Sequence, residues 1–415
     1  MSDPRPEVDF DHHSPQYARD FRSTYKDMRS KCPVAWSNRH GGYWVVTRYD
    51  DIAEVARDDY TFSSRHDLPN GNSYTGIVLP PNQVRSTPIE MDPPQFQAYR
   101  QILTKWFSPA YAEKVKPQIL RYVTECLDDR IESGSIDFIL HLANPIPGIV
   151  TMVFLGLPAE DWELYAPHYH NGVAYPPGTP EHEAASRGIL AALDRVREAI
   201  AERRRQPRED LLTHLTRVEV EGAKIPDETI VDICNLILGG GLDTTTGLMG
   251  HGLDYLGRHP QLRARLLADP KLIMMNFCEE LLRFNTPTQA LSRTATKDVE
   301  VGGQKIKAGE RLLICWASAN HDESKFDKPE EFNIDRFPNL HQAFGLGGHR
   351  CLGSTFARYE FSIAVEQVLK RMPDYRLAEG AEHYQSIGVV NGWHRLPATF
   401  TPGARVGAAA SSSYL

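Results

Sequence analysis

The segment FGLGGHRCLG, residues 344–353, places a single cysteine, Cys351, among four glycines. A cysteine that serves only for core packing does not need so flexible a backbone. Glycines let a loop fold closely beneath a flat ligand, and their N–H groups can point at a sulfur atom. Because a cysteine thiolate is a good iron ligand, the segment indicates a haem-iron site. A buried structural cysteine in a glycine-rich turn is the alternative interpretation.

The residues on either side of Cys351 favour the haem interpretation. The segment LGSTFARYEFSIAVEQVLKRM, residues 352–372, has the apolar periodicity of a helix. The positive end of a helix that begins just after Cys351 favours thiolate over thiol. His349 and Arg350 precede the cysteine and can supply hydrogen bonds or positive charge to the carboxylates of a haem.

A second unusual segment spans residues 226–256. It begins with a Pro-Asp helix-start signal and then keeps helical periodicity. A helix of about 30 residues is about 45 Å long and has to cross the core of a domain. Its middle nevertheless reads GGGLDTTT, residues 239–246, which disfavours a helix interior. Two interpretations remain: a break at which Asp243 or Thr244 caps a second helix, or one bulged helix on which a bulky group presses beside an acid and an alcohol.

Composition narrows the class of protein. The chain has 415 residues, a net charge of −8 and a sequence pI of about 6.1. This charge gives no reason to expect a nucleic acid or a membrane surface as partner. The six cysteines form no CxxC pair and no zinc-spaced cluster, which favours reduced thiols and a cytoplasmic protein over a disulfide framework. No signal peptide and no stretch of 18 apolar residues is present in the sequence.

The sequence shows the same type of pattern along its whole length, with no sign of a domain boundary. Helical periodicity dominates, with short strand-like runs at residues 41–52 and 298–317, and no internal repeat or long linker interrupts it. We therefore predict a mainly α protein with a smaller β portion, folded as one domain over residues 1–415. The polar ends, about residues 1–14 and 404–415, are predicted to be flexible tails.

The segment at residues 344–353 resembles the haem-binding loop of the cytochrome P-450 family, whose pattern is F-G-x-G-x-H-x-C-x-G. The resemblance extends over about residues 15–403. It implies the cytochrome P-450 fold, with a long central helix over a haem b whose axial ligand is the Cys351 thiolate. The positions that match the pattern are Phe344, Gly345, Gly347, His349, Cys351 and Gly353.

Two further motifs are similar to those of the family. The segment GGLDTT, residues 240–245, resembles the oxygen-activation motif of the central helix. The resemblance implies that Thr244 and Asp243 deliver protons to bound dioxygen and that Gly240 and Gly241 lie against the haem. The pair Glu280 and Arg283 has E-x-x-R spacing, which alone is typical of a solvated helix face. In the family this pair is buried and bound to a later arginine, here Arg336, in a structural role.

The haem carboxylates are expected to bind basic residues. By resemblance, Arg293 of RTATKDVEV contacts one propionate, and Arg100 of MDPPQFQAYR contacts another. His349 is a third candidate in the loop itself. Phe96 stands where the family usually has a histidine, so one propionate loses a partner or finds another.

The resemblance implies a haem-thiolate monooxygenase that hydroxylates a C–H bond of a small or medium hydrophobic substrate with O2. Electrons would come from NAD(P)H through ferredoxin reductase and ferredoxin. The stretches at residues 66–90 and about 165–180 are expected near the substrate. The predicted docking patch for ferredoxin comprises Arg100, Lys105, Arg350 and Arg358, and the predicted substrate contacts are Leu236, Gly239, Gly240, Leu291, Ile387 and Val389.

Alternatives remain open at this point. For each predicted substrate contact, plain core packing is an equal alternative. A non-catalytic haem protein for gas sensing or carriage has no use for the Asp243–Thr244 pair, and peroxide-dependent relatives usually lack it. A monomer is the family expectation, and the sequence does not name the substrate.

Overall fold

The computed structural model describes residues 5–67 and 74–407. Within these residues, the α-helices are α1 (Pro15–Arg19), α2 (Phe21–Lys31), α3 (Tyr49–Arg57), α4 (Gln95–Thr104), α5 (Pro109–Ile131), α6 (Pro145–Leu155), α7 (Ala166–Ala174), α8 (Pro180–Arg205), α9 (Leu211–Arg217), α10 (Asp227–Arg258), α11 (Pro260–Ala268), α12 (Cys278–Asn285), α13 (Trp316–Ala319) and α14 (Ser354–Arg371). Short 3-10 segments lie at Arg39–Gly41 and Ala159–Leu164, and π-helical turns lie at Ile139–Ala143 and Ile273–Phe277.

Short strands form several small sheets. The strands are β1 (Val34–Ser37), β2 (Tyr43–Val46), β3 (Phe62–Ser63), β4 (Ser135–Asp137), β5 (Glu219–Val220), β6 (Ala223–Lys224), β7 (Leu291–Ala295), β8 (Val299–Val301), β9 (Gln304–Ile306), β10 (Arg311–Ile314), β11 (Arg376–Leu377), β12 (Glu382–His383), β13 (Trp393–Arg395) and β14 (Pro397–Thr399). The largest sheet has the order β1-β2-β10-β7-β3, in which β10 pairs parallel to β2 and the other neighbours pair antiparallel. A three-stranded sheet has the order β11-β14-β4. The mainly α class with a smaller β portion is confirmed.

Helix α10 is the central element of the fold. It runs without interruption for 32 residues and packs against α6, α7, α8 and α14. Its residues are buried along most of its length, as a helix that crosses a core must be. The helix continues through residues 239–246, so the interpretation of this segment as a break between two helices is wrong. Burial on several sides holds the helix together where the local sequence disfavours it.

The periodic segments of the sequence become helices close to the predicted positions. The segment at residues 352–372 forms α14, and the run at residues 298–317 forms β8, β9 and β10. The long periodic segment at residues 260–284 instead divides into α11 and α12, with a π-helical turn at Ile273–Phe277 between them. Periodicity alone does not mark this change, because the apolar spacing continues through it.

Residues near both ends of the described chain contact the rest of the protein. Phe10, His12 and His13 are buried, and the ring of His13 hydrogen-bonds Ser386. At the other end, the backbone N–H groups of residues 406 and 407 donate to the carboxylate of Asp128. These contacts involve residues of both predicted tails, and the flexibility of the tails stays a prediction. Residues 1–4 and 408–415 lie outside the described part of the chain.

No single helix among the described residues is both long and apolar enough to cross a bilayer. The bent pair of segments Ile139–Leu155 and Ala159–Ala174 meets the length and composition criteria only when taken together. All six cysteines lie in the described residues and are free.

Candidate active site

The loop before Cys351 needs glycine at specific positions. Gly345 and Gly347 adopt φ angles of 69° and 68°, in the left-handed region that side chains other than glycine rarely occupy. A Cβ atom on Gly347 would lie 2.3 Å from the carbonyl oxygen of Ala56. The backbone N–H of Cys351 donates to the carbonyl of Phe344 at 2.8 Å and closes the loop. The glycines thus give the cysteine its position through backbone geometry and close approach to α3.

The surroundings of the sulfur act on its ionisation in opposing directions. Cys351 is an exposed residue, yet the protein atoms packed around its sulfur raise the pKa of the thiol by desolvation. The backbone N–H of Gly353, followed by the charges of Arg100, Arg350 and Arg358, acts against this rise and favours the thiolate. Gly353 is also the N-cap of α14, whose positive end adds to this effect. These donors are suited to a sulfur that carries negative charge as an iron ligand.

Two buried basic side chains near the loop keep unused donor atoms. Arg293, on β7, is 2% exposed and uses Nη1 to donate to the Ser292 carbonyl at 2.8 Å. Its Nε atom and the Nδ1 atom of buried His349 have no hydrogen-bond partner among the described residues. Burial lowers the pKa of Arg293 to about 10, and the charge of Asp59 acts in the opposite direction. Unpaired donors this deeply buried are what an anionic group such as a haem carboxylate would satisfy.

The position of the unusual Phe96 is now explained by a contact. Its ring, on α4, packs on the imidazole of His349 with 4.0 Å between ring centroids. The neighbouring Arg100 does not point away from the loop, because its Nη2 donates to the Arg350 carbonyl at 2.5 Å. The predicted propionate residues therefore gather around one loop, with an apolar ring where a histidine was expected. The buried Arg293, the buried imidazole of His349, the glycine-built loop and the thiol together fit a haem.

Helix α10 presents one open face at its middle. Leu236, Gly240 and Thr244 follow each other at intervals of four residues, so they share a face of the helix. A Cβ atom on Gly240 would meet nothing within 4 Å among the described residues. The Thr244 hydroxyl donates to the Gly240 carbonyl at 2.8 Å. This face can accept a bulky planar group, and Thr244 places an alcohol on it.

The other two glycines of the segment face neighbouring helices instead. A Cβ atom on Gly241 would lie 2.8 Å from the hydroxyl of Thr151 on α6. On Gly239 it would lie 3.6 Å from the ring of Tyr169 on α7. The geometry therefore packs Gly241 against α6 and turns Gly239 toward α7. The haem contact of Gly241 stays a prediction.

Asp243 lies on a different side of α10 from Thr244. Its carboxylate is 1% exposed, and its Oδ1 atom hydrogen-bonds Nδ1 of His170, which lies on α7. The hydroxyl of Tyr384 donates to the same oxygen at 3.2 Å. Neither partner was predicted as a site residue. His170 lies in the predicted pocket stretch at residues 165–180, but a lone histidine in a helical run carries no motif.

The predicted substrate contacts divide into two groups. Leu291, at the start of β7, and Val389 are half-buried, as residues that line a cavity would be. Ile387 is 2% exposed and belongs to a buried cluster with Leu79 and Ala174, which favours the packing alternative for it. Within the predicted stretch at residues 66–90, residues 68–73 lie outside the described part of the chain.

The charged pair of E-x-x-R spacing is fully buried. Glu280 is 0% exposed and accepts two hydrogen bonds at 2.8 Å from Arg283, which is also 0% exposed. Arg336 donates to the same carboxylate at 3.3 Å, so the predicted contact with a later arginine is present. Arg283 also donates to the carbonyls of Asn320 and Pro329, which ties α12 to the irregular segment before the haem loop.

The four basic residues of the predicted docking patch are not equivalent. Lys105 and Arg350 are exposed. Arg358 pairs with Glu279, with Nε to Oε1 at 2.5 Å, and Arg100 is bound to the loop backbone. Of these four residues, only Lys105 and Arg350 are therefore exposed.

Comparison with known proteins agrees with this geometry. The model of the family described as Cytochrome P450 matches residues 181–373. The steroid C26-monooxygenase of Mycolicibacterium smegmatis is 33% identical over 93% of this chain and 94% of that protein. Cytochrome P450-terp of Pseudomonas sp is 31% identical over 91% of this chain and 92% of that protein.

The solved structures agree as well. CYP109E1 from Bacillus megaterium, solved in complex with testosterone, has a TM-score of 0.83 at 31% identity and covers 94% of this chain and 100% of its own. The expected fold and family are both confirmed. The chain has a glycine-built cysteine loop and a long helix that carries an acid–alcohol pair, and its relatives match it along nearly the whole length. The chain therefore belongs to the cytochrome P450 family of monooxygenases.

Proposed function

We propose that this chain is a haem-thiolate monooxygenase that hydroxylates a C–H bond of a small or medium hydrophobic substrate with O2. The observation that carries the proposal is the arrangement on α10. Thr244 lies on the open face beside Gly240, and the adjacent Asp243 is buried in a hydrogen-bonded cluster. A gas carrier has no use for an alcohol and an acid held in this way, because it moves no protons.

Individual residues would have separate roles in binding haem and in moving protons. Cys351 would hold the iron, while Arg293 and His349 would bind the haem carboxylates through their unpaired donors. When bound, haem supplies oxygen binding, reductive activation and transfer of one oxygen atom to carbon. Thr244 would orient a proton or a water molecule on the open face of α10. Asp243 would hold and release a proton at its carboxylate, as a general acid does.

The same proposal includes the source of electrons. NAD(P)H would be oxidised by a ferredoxin reductase, and ferredoxin would dock beside Cys351 on the exposed charges of Lys105 and Arg350. We also propose a cytoplasmic monomer, which cell fractionation and analytical ultracentrifugation test directly. Because one solved relative contains testosterone, steroids belong in the substrate screen beside smaller apolar compounds.

The first test concerns the iron ligand. Protein expressed with ample haem should show, after reduction, the carbon monoxide spectrum of a thiolate-ligated haem. Cys351→Ser should lose this spectrum, whereas Cys32→Ser should keep it because Cys32 is a half-buried cysteine in another part of the chain. Colourless protein, or an unchanged spectrum in Cys351→Ser, would refute the proposal.

The second test concerns the reaction. Candidate substrates are screened by their shift of the haem spectrum and then supplied with NADH, ferredoxin reductase and ferredoxin. Product that forms in step with NADH oxidation supports the monooxygenase. Product that forms only with hydrogen peroxide would favour the peroxide-dependent alternative. The absence of product with every ligand that shifts the spectrum would favour a carrier or sensor.

A further inference from the structure

The buried carboxylate of Asp243 has an unusual set of partners. Both of its hydrogen-bond donors, Nδ1 of His170 and the hydroxyl of Tyr384, contact the same oxygen, Oδ1. All three side chains are at least nine-tenths buried. A buried carboxylate is costly unless it is paired, so this cluster is a feature that the fold maintains.

The cluster has one unused atom at each end. Oδ2 of Asp243 and Nε2 of His170 are both buried and have no hydrogen-bond partner within residues 5–67 and 74–407. An ion pair with only a structural role normally has its polar atoms satisfied. An imidazole whose second nitrogen is free can accept a proton there while it releases one from the first. The two unused atoms are therefore suited to be the entry and the exit of a proton.

We propose that His170 is a relay residue that supplies protons to Asp243 for the oxygen chemistry of this site. This inference rests on the proposed function. A proton enters at Nε2 of His170 as the proton on Nδ1 passes to Oδ1 of Asp243. The imidazole is then neutral and the carboxyl is protonated. Rotation of the carboxyl group about its Cβ–Cγ bond presents that proton at the former Oδ2 position, from which water carries it toward Thr244. Release of that proton restores the carboxylate, whereas the imidazole still carries its proton on Nε2. It returns to its starting form when Nε2 releases this proton and Nδ1 takes one up from water, before the next proton enters at Nε2.

Tyr384 has a positioning role in the same cluster. Burial, followed by the charge of Asp243, raises the pKa of Tyr384 well above its usual range, so its hydroxyl remains a neutral donor. Its backbone lies two residues before Ser386, whose N–H donates to the carbonyl of Ala174 at the end of α7. The segment that carries Tyr384 and the helix that carries His170 are thus bound to each other. Their two donors reach Asp243 as one unit.

The outer end of the route has a candidate as well. His394, on β13, is half-buried, and its ring lies 4.8 Å from that of Tyr384. Its Nε2 atom also lacks a partner among the described residues. Burial lowers the pKa of His394, and the charge of Glu382 acts against this. His170 and Asp243 have smaller, opposite effects on the same pKa, so His394 lies within electrostatic reach of both.

The experiment separates the relay from a structural role. His170→Asn keeps a donor near the position of Nδ1 but cannot take up and pass on a proton, whereas His170→Phe removes the hydrogen bond as well. Asp243→Asn removes the acceptor of the relay. His168→Asn is the matched control, because His168 lies on the same helix with its ring against Gly188. All variants are studied as haem-loaded protein, and the carbon monoxide spectrum and the substrate-induced spectral shift show whether the site is intact.

Turnover is measured with two oxygen sources. With NADH, ferredoxin and O2, we expect the rate of product formation to fall about tenfold or more in both His170 variants and in Asp243→Asn, since general acids contribute about 10² to 10⁴ to a rate. Product per NADH should fall as well, because oxygen that is not protonated in time is lost in other reactions. Iodosobenzene delivers an oxygen atom without protons, so all variants should then form product as the unmodified protein does. Unchanged product per NADH in His170→Asn, or an equal loss with iodosobenzene, would overturn the relay.

A third measurement needs no turnover. Histidine side chains labelled with ¹⁵N are observed by NMR in the diamagnetic ferrous carbon monoxide complex. The ring nitrogens of His170 should shift in Asp243→Asn, and those of His168 should not. Identical His170 resonances in both proteins would overturn the inference on its own. If the unmodified protein turns over no substrate, the proposed function fails first, and this measurement still reports whether the two side chains share a proton.

Discussion

Glu280 is the residue whose loss should most disturb the fold near the haem loop. Its carboxylate is fully buried and accepts hydrogen bonds from Arg283, Arg336, the backbone N–H of Asn333 and the side chain of Asn339. Glu280→Gln keeps the shape of the side chain and removes its charge. Arg283, 0% exposed, would then carry a buried positive charge without a counter-ion.

The magnitude follows from the cost of an unpaired buried charge. Removal of one partner of a buried ion pair costs about 3–5 kcal/mol. Arg283 keeps its bonds to the carbonyls of Asn320 and Pro329, which places the expected loss toward the lower part of this range. A loss of about 3 kcal/mol corresponds to a change of about 100-fold in the unfolding equilibrium constant.

Equilibrium urea unfolding of the haem-loaded protein, followed by far-ultraviolet circular dichroism, measures this loss. Glu366→Gln is the control, because Glu366 forms a partly exposed pair with Lys370 on α14 and such pairs contribute less than about 1 kcal/mol. The double variant Glu280→Gln with Arg283→Met should lose less than the two single losses added together, since it removes both charges. A loss below about 1 kcal/mol for Glu280→Gln would refute the reasoning.

Three further outcomes are expected. Thr244→Ala removes the alcohol from the open face of α10, so NADH oxidation should continue while product per NADH falls and hydrogen peroxide rises. Assays of NADH, product and peroxide check this, and an unchanged ratio of product to NADH would contradict it. Burial raises the pKa of Glu360 to about 8 from its ordinary 4.5. Glu360 therefore makes its full contribution to the free energy of unfolding below pH 4.5. This contribution is lost as the pH rises from 4.5 through 8. Glu360→Gln should be more stable than the unmodified protein at pH 7. Its free energy of unfolding, measured with urea from pH 5 to 9, should depend less on pH than that of the unmodified protein. Parallel pH dependences in the two proteins would contradict this prediction. Lys105→Glu should slow reduction by ferredoxin, most of all at low salt, while the exposed Lys224→Glu should not, as stopped-flow traces at two salt concentrations will show.

Local chemistry explains which features the sequence could predict. Gly345 and Gly347 need positive φ angles, and this requirement is visible in the sequence because only glycine meets it without strain. The helical periodicity that gives α5, α8 and α14 is likewise a short-range pattern. The long helix was predicted from the same pattern, but the choice between a break and a continuous helix depended on packing against other helices.

Long-range contacts explain what the sequence could not predict. His170 and Asp243 are separated by 73 positions, and Tyr384 is 141 positions from Asp243. Nothing in the local sequence of any of the three marks the others as partners. The same holds for Phe96, whose ring covers His349 across the fold. Three successive glycines look alike in the sequence, yet the phase of the helix turns Gly240 to open space and Gly241 to α6.

The continuity of α10 has a chemical consequence for the adjacent residues Asp243 and Thr244. Consecutive side chains on a helix point about 100° apart. Asp243 therefore faces the buried cluster with His170 of α7, and Thr244 faces the open side with Gly240. A break at this point would have released that fixed angle and separated the acid from the alcohol. Because the helix is unbroken, one peptide unit connects the residue that faces the interior to the residue on the open face. Under the proposed function, a proton held at Asp243 would therefore pass around this one helix to reach the alcohol of Thr244.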